Sequence, residues 1–331
     1  MKFIKWGTLV IILFVIVVSG VSYMPFFNHS DTQKPIEKLS AMAKDLGTTK
    51  YKQPEKPALK TIANLGLQAK SVILIDAKSG EVLYEKNSDQ ALPTASMSKM
   101  MTEFLVLEAI HNQQLTWNQT VKISDYVDTI SNHPGFASVH LQKGRPYTIR
   151  ELFEATAIHS ANGAAIALAE AVAGSEKAFV VKMNKKAEAF GLKETHFVDS
   201  TGLDNRDLGK FFSTGTLSDT NRMSAKDLAQ LARQLIVHYP EILNITDQPK
   251  LQFEQQSFMN TNLMLPARHQ ANLAFDGVDG LKTGFTDEAG YCFVGTVKRN
   301  DVRLISVVMG ATSSTTRFSE TKRLYTAAFA K

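Results

Sequence analysis

Strand-like apolar runs sit near both ends of the main body of this chain, and helix-like periodicities fill what lies between. Few architectures satisfy that order. Ser71-Val72-Ile73-Leu74-Ile75-Asp76 is apolar and rich in β-branched residues, Lys78-Ser79-Gly80 supplies a turn, and Glu81-Val82-Leu83-Tyr84-Glu85-Lys86 alternates after it, which predicts a hairpin. Far downstream, Gly295-Thr296-Val297-Lys298-Arg299, Asn300-Asp301 and Val302-Arg303-Leu304-Ile305-Ser306-Val307-Val308 predict a second. Between them the spacing predicts helices over 96–109, 150–173, 175–190 and 224–237, with a closing helix over 318–329. The first is apolar on most sides, through Met97, Met100, Met101, Phe104, Leu105, Leu107 and Ala109, as a helix buried in a domain centre should be. The expected class is α+β: one antiparallel sheet assembled from both chain ends, with a helical region packed against it.

Three short motifs lie on these elements in a fixed order: Ser96-Met97-Ser98-Lys99, Ser160-Ala161-Asn162 and Lys282-Thr283-Gly284. Singly each is weak, and Ser319-Glu320-Thr321-Lys322 repeats the first by chance. Together they supply a nucleophile with an amine beside it, a second hydroxyl with an amide, and a cationic strand. Those are the parts for acyl transfer without histidine. Positions three apart share a helix face, so the Ser96 hydroxyl and Lys99 amine are expected to meet. A serine needs a base, and lysine serves only if burial or a second cation lowers its pKa from about 10.4. Lys99 is therefore the expected base and Lys282 the second cation. Ser160 and Asn162 fall in the interruption of the helix over 150–173. Ser160 is expected to relay a proton to the leaving amine, and Asn162 to accept a bond from Lys99. Lys282-Thr283-Gly284 is expected on an edge strand, with Gly284 admitting a substrate backbone and Thr283 offering its hydroxyl to a carboxylate. The backbone N–H groups of Ser96 and Phe285 are the expected oxyanion hole.

At the N-terminus, Lys2 and Lys5 precede an uncharged, mostly apolar stretch, Trp6 to Phe27. Two readings fit it: a secretory signal peptide with a weak cleavage site at Val18-Ser19-Gly20, and an uncleaved membrane anchor over 6–24. The anchor is preferred. Both leave the bulk of the chain outside the cytoplasm, on the outer face of the membrane or secreted. Residues 28–66 are polar and carry Pro35, Pro54 and Pro57, so the expected organisation is an anchor or signal segment over 1–27, a linker over 28–66 and a catalytic domain over 67–331.

Other chemistries find little support. The single cysteine, Cys292, lies in a strand pattern and reads as a small buried apolar residue. The histidines are scattered without metal-ligand spacing, so neither metal nor cofactor is expected, and His159 beside Ser160 reads as structural. A net charge of +5 without an aromatic-interleaved basic patch points away from nucleic acid.

The three motifs resemble those of the low-molecular-mass penicillin-binding proteins, the serine-type D-Ala-D-Ala carboxypeptidases of the peptidase S11-like family. The likeness runs from about Leu67 to the C-terminus. It includes Pro93-Thr94-Ala95, Met100-Met101-Thr102, Gly191-Leu192-Lys193-Glu194-Thr195-His196-Phe197, Thr201-Gly202-Leu203, Ser224-Ala225-Lys226-Asp227 and Val278-Asp279-Gly280-Leu281. It implies a β-lactamase/transpeptidase-like fold, a serine acyl-enzyme, removal of the terminal D-alanine from peptidoglycan stem pentapeptides, and acylation by β-lactams. The chain departs from the family pattern at three places, four residues in all. Phe285 replaces the frequent His or Tyr, Gly163 the frequent Asp, and Asp199-Ser200 the usual Asn-Pro. Many such relatives carry a further β-rich domain and an amphipathic anchor helix, which favours anchoring here through the N-terminus. Three alternatives remain open. A DD-endopeptidase would use the same residues. A class A β-lactamase would need a Glu-x-x-Leu-Asn motif, which is missing between Asn162 and Lys282. A non-catalytic β-lactam sensor would need a signalling module, for which Met1 to Lys5 leaves no room.

Overall fold

Strand β1 (Ser71–Asp76) reads as a continuous apolar run because both of its faces are covered. It lies inside a five-stranded antiparallel sheet of order β2-β1-β11-β10-β9, where β2 is Val82–Lys86, β9 Val278–Thr286, β10 Gly290–Arg299 and β11 Val302–Ala311. The register pairs Ser71 with Met309 and Asp76 with Leu304, so the two chain ends build one sheet. Alternation then sorts the side chains. Ile73, Ile75, Ile305 and Val307 join one core, and Val72, Leu74, Leu304 and Val308 the other. The structure is a computed structural model and describes residues 61–330. The N-terminal apolar segment and most of the linker lie outside the described residues.

After β2 come a two-residue strand β3 (Leu92–Pro93), a 3-10 turn (Ala95–Ser98) and helix α1 (Lys99–His111). The larger core is built around α1, whose Met100, Met101, Phe104, Val106 and Leu107 are almost fully buried. Burying a side chain of that size contributes about 1.5–3 kcal/mol. Around α1 are packed β4 (Thr120–Lys122), α2 (Asp125–Ser131), β5 (Pro146–Thr148), α3 (Ile149–His159), α4 (Asn162–Ala173) and α5 (Glu176–Ala189). A short α6 (Asn205–Leu208), β6 (Arg222–Met223), α7 (Ala225–His238), α8 (Ile242–Thr246) and the hairpin β7 (Lys250–Phe253) to β8 (Gln256–Met259) complete that side. Helix α9 (Ser314–Phe329) covers the opposite face of the sheet with Phe318, Leu324 and Tyr325. The sheet is thus the middle of three layers, and the antiparallel assembly expected from the two hairpin patterns is the one observed.

Boundaries moved where capping chemistry overrode periodicity. Ser96 lies in the 3-10 turn and the α-helix starts only at Lys99. Helix α9 begins four residues earlier than its apolar pattern suggests, because the Ser313 hydroxyl accepts the Thr316 N–H and caps it. The interruption in the long alanine-rich segment falls at Ser160, in the left-handed region at φ 66°, between α3 and α4. Ala161 N–H returns to Ala155 C=O at 3.0 Å, closing the end of α3 around the left-handed residue.

Candidate active site

The break between α3 and α4 turns two side chains toward the start of α1. Lys99 Nζ lies 2.9 Å from Ser96 Oγ and donates to Asn162 Oδ1 and to the Thr201 carbonyl, both at 2.7 Å. On the other side Lys282 Nζ donates to Ser160 Oγ at 2.8 Å and to the Thr283 carbonyl at 3.1 Å. The expected residues Ser96, Lys99, Ser160, Asn162 and Lys282 therefore converge at one place, although five elements and turns supply them. Thr283 follows on the edge strand β9, its Oγ1 donating to Thr261 Oγ1 at 2.7 Å.

Both ammonium groups are buried, Lys99 at 0% and Lys282 at 1% exposure. Burial pushes the Lys99 pKa well below its ordinary value, and the charge of Lys282 pushes it further; Asp199 and Glu103 oppose. Lys282 is lowered to about 8 by burial, with Glu103 resisting and Arg317 adding to the fall. Glu103, a charged neighbour of both lysines, has its carboxyl raised to about 7 by burial, which the two lysines oppose. A neutral Lys99 has two N–H donors and one lone pair. Asn162 Oδ1 and the Thr201 carbonyl are acceptors only, so they take the two N–H groups and leave the lone pair directed at the Ser96 hydroxyl. That is the arrangement of a general base.

Ser96 is half-buried at the floor of a cleft of about 960 Å³. Gly135, Phe136 and Ala137 line one side, Leu203, Asp204 and Asp207 another, and Thr283, Gly284, Phe285 and Thr286 of β9 form the wall. Phe285 is 48% exposed and packs against Tyr291, with ring centroids 4.4 Å apart and the planes tilted by 31°. Gly284 also has a close neighbour within the fold. A Cβ there would lie 2.9 Å from the Thr94 carbonyl oxygen and 3.2 Å from Ser96 N. The missing side chain lets β9 press against the turn that carries the nucleophile.

Two contributors escaped the sequence reading. Arg317 of α9 is buried, donates to the carbonyls of Gly284 and Cys292, and lines the cleft. The second is the loop over 199–202, which passes directly behind Lys99. The motif-like Ser319 and Lys322 do not meet: Ser319 Oγ donates to Thr316 O and Lys322 Nζ to Asn272 O. Both are half-buried, because α9 lies flat on the sheet. His159 Nδ1 sits 3.1 Å from Met259 O, away from Ser160 Oγ. Cys292 is buried in β10, and burial pushes its thiol up to about 11. Among the described residues no group of His, Cys, Asp and Glu has the arrangement of a metal site, and no helix is long and apolar enough to cross a membrane.

Comparison with known proteins agrees with this geometry. The peptidase S11 family, D-alanyl-D-alanine carboxypeptidase, matches residues 58–313. D-alanyl-D-alanine carboxypeptidase DacF of Bacillus subtilis is 33% identical over 277 residues, 82% of this chain and 65% of that protein. The chain thus spans just under two thirds of that relative's length. Among solved structures, a peptidoglycan synthesis regulatory factor (PBP3) from Streptococcus pneumoniae superposes with a TM-score of 0.76 at 39% identity, covering 79% of this chain and 73% of the other. Penicillin-binding protein D2 from Listeria monocytogenes in its cefotaxime-bound form gives 0.69 at 34% identity, with 81% and 100% coverage.

Proposed function

The chain belongs to the peptidase S11 family, and from that membership together with the site we propose a serine-type D-Ala-D-Ala carboxypeptidase that removes the terminal D-alanine of peptidoglycan stem pentapeptides and is acylated by β-lactams. The observation that carries this reading is the unbroken contact Ser96–Lys99–Asn162 beside Lys282–Ser160. In the proposed cycle neutral Lys99 takes the Ser96 proton as Oγ attacks the penultimate D-alanine carbonyl. The N–H groups of Ser96 and Phe285 hold the developing oxyanion. The substrate carboxylate is drawn toward Lys282, Thr283 and the guanidinium of Arg317. The proton taken by Lys99 is handed on through Ser160, which is bonded to Lys282, to the departing D-alanine nitrogen, and Lys99 is neutral again. Water, activated by Lys99 in turn, then releases the acyl-enzyme.

The same reading assigns 1–27 to a membrane anchor, 28–66 to a linker and the outer face of the cytoplasmic membrane as the workplace. It rests on the sequence of those segments and on a peptidoglycan substrate. Incubation with a defined stem pentapeptide and with a crosslinked dimer tests the activity. Free D-alanine from the pentapeptide, with the dimer uncut, is expected. Cleavage of the dimer alone would make the chain an endopeptidase, and neither product would sink both.

A further inference from the structure

The pair Asp199-Ser200 departs from the family pattern, and the structure gives the departure a place. Asp199 is fully buried, two residues before the carbonyl that receives Lys99. Its Oδ1 accepts three donors at 2.6 Å: the Thr201 N–H, the Thr201 hydroxyl and the Gly202 N–H. Its Oδ2 is buried and has no hydrogen-bond partner among the described residues. The backbone around it is tied to the nucleophile's own segment. Asn221 accepts the N–H groups of Val198 and Asp199 at its side chain, while its carbonyl accepts the Thr94 N–H and hydroxyl. Thr102 of α1, three residues after Lys99, donates to the Ser200 carbonyl at 2.7 Å. Gly202 approaches Ala95 so closely that a Cβ would lie 1.8 Å from its carbonyl oxygen. The turn over 199–202 is thus wedged between α1 and the start of the nucleophile's turn, with a carboxylate at its centre.

We propose that Asp199 is a positioning residue for the Lys99 amine: one oxygen holds the turn whose Thr201 carbonyl orients the amine, and the carboxylate's charge acts on the amine across that turn. The proposal rests on the reading of Lys99 as the base. Of the two acceptors that fix the lone pair, Asn162 Oδ1 comes from α4 and Thr201 O from this turn alone. The Gly202 N–H held at Oδ1 shares a peptide plane with the Thr201 carbonyl, so that bond sets where the carbonyl points, while the bonds of Ser200 to Thr102 and Glu176 hold the rest of the turn. The charge works against burial and Lys282, both of which favour the neutral amine, and in the same sense as Glu103. On its far side Asp199 faces Glu176, which accepts from Ser200 N–H and Oγ and from Tyr126 OH, a second buried carboxylate within electrostatic reach. These groups, Lys282, Glu103, Glu176 and Tyr126, are the charged and titratable neighbours of the Lys99–Asp199 pair.

The test separates the two effects of the carboxylate. Asp199→Asn keeps an oxygen for the three donors and removes the charge, whereas Asp199→Ala removes both. The rate of acylation by a fluorescent penicillin is followed across pH for the full chain and both variants, with thermal melting alongside. Asp199→Asn should melt near the wild type and show the acid limb of its profile moved down by about one pH unit, since a lost anion lowers the amine's pKa. Asp199→Ala should show the same shift of the acid limb and, in addition, slow acylation by about a hundredfold on the plateau, as a displaced base would. An acid limb that stays in place for a folded Asp199→Asn overturns the electrostatic half and with it the proposal. So does an Asp199→Asn variant as slow as Asp199→Ala throughout, which would leave the held oxygen no part. A wild type that penicillin does not acylate would instead sink the proposed function itself.

Discussion

Lys282 Nζ donates to Ser160 Oγ at 2.8 Å, while Lys99 Nζ spends its donors on Asn162 and Thr201. Two buried lysines therefore share one site without sharing an acceptor. The charge of Lys282 lowers the cost of Lys99 losing its proton, and the geometry fits that order. Lys99 has a hydroxyl where its lone pair points, and Lys282 has a hydroxyl that accepts.

The first consequence concerns the attacking residue. Labelled penicillin should attach to a single peptide containing Ser96, and Ser96→Ala should abolish the label. Ser319→Ala should leave it unchanged, because Ser319 and Lys322 bond to different backbone carbonyls. Mass spectrometry of the labelled digest decides this; label on Ser160 or Ser319 would refute the assignment.

The lysines should divide their roles in a pH profile. Acylation should rise with pH as Lys99 deprotonates, and fall again above about pH 8, where Lys282 loses its charge. Lys99→Arg should cost about 10²–10⁴-fold, the worth of a general base, since arginine keeps its proton. Lys282→Arg preserves the charge and should lose less, with the alkaline limb displaced upward. Equal losses for the two variants would show that this division of roles is wrong.

Gly202 should tolerate no side chain. It has φ 83°, and its Cβ would fall 1.8 Å from the Ala95 carbonyl oxygen, backbone that cannot swing aside. Gly202→Ala should therefore lose about 3 kcal/mol of stability, at the upper end for single substitutions. Denaturant titration against wild type measures it; a loss within error would mean that the turn and the nucleophile segment are not wedged together.

What the sequence disclosed and what it hid follow one physical divide. Patterns that repeat within a segment were legible. The apolar surround of α1, the alternation of β2 and the flanking hairpins led to the sheet built from both chain ends, and the motif spacing led to Ser96, Lys99, Ser160, Asn162 and Lys282. Contacts made by single residues across the fold were not. Arg317 precedes the apolar pattern of α9 and looked like a residue outside the helix; the Ser313 cap, the signal that would have included it, is one hydroxyl. Asp199 was visible only as a departure from a pattern. Its meaning comes from donors gathered at one oxygen and from a lysine a hundred positions upstream. Gly284 was read for a substrate alone, because nothing local announces that the nucleophile's own turn also lies against it.

The N-terminal segment makes the last prediction, and it rests on sequence. Trp6 to Met24 carries no charge, with Lys2 and Lys5 before it. As a helix it would rise about 28 Å at 1.5 Å per residue, close to a hydrocarbon core of about 30 Å. The basic residues would stay on the cytoplasmic side and the remainder of the chain would face outward. Residues 28–66, treated as a flexible chain, would then span about 31–37 Å, longer where the prolines extend it, enough to carry the cleft away from the bilayer toward the wall. Intact mass of the protein recovered from membranes distinguishes the two fates. A full-length chain released only by detergent is expected. A mature chain beginning near Val21 and released by salt alone would make the segment a signal peptide and the enzyme a secreted one.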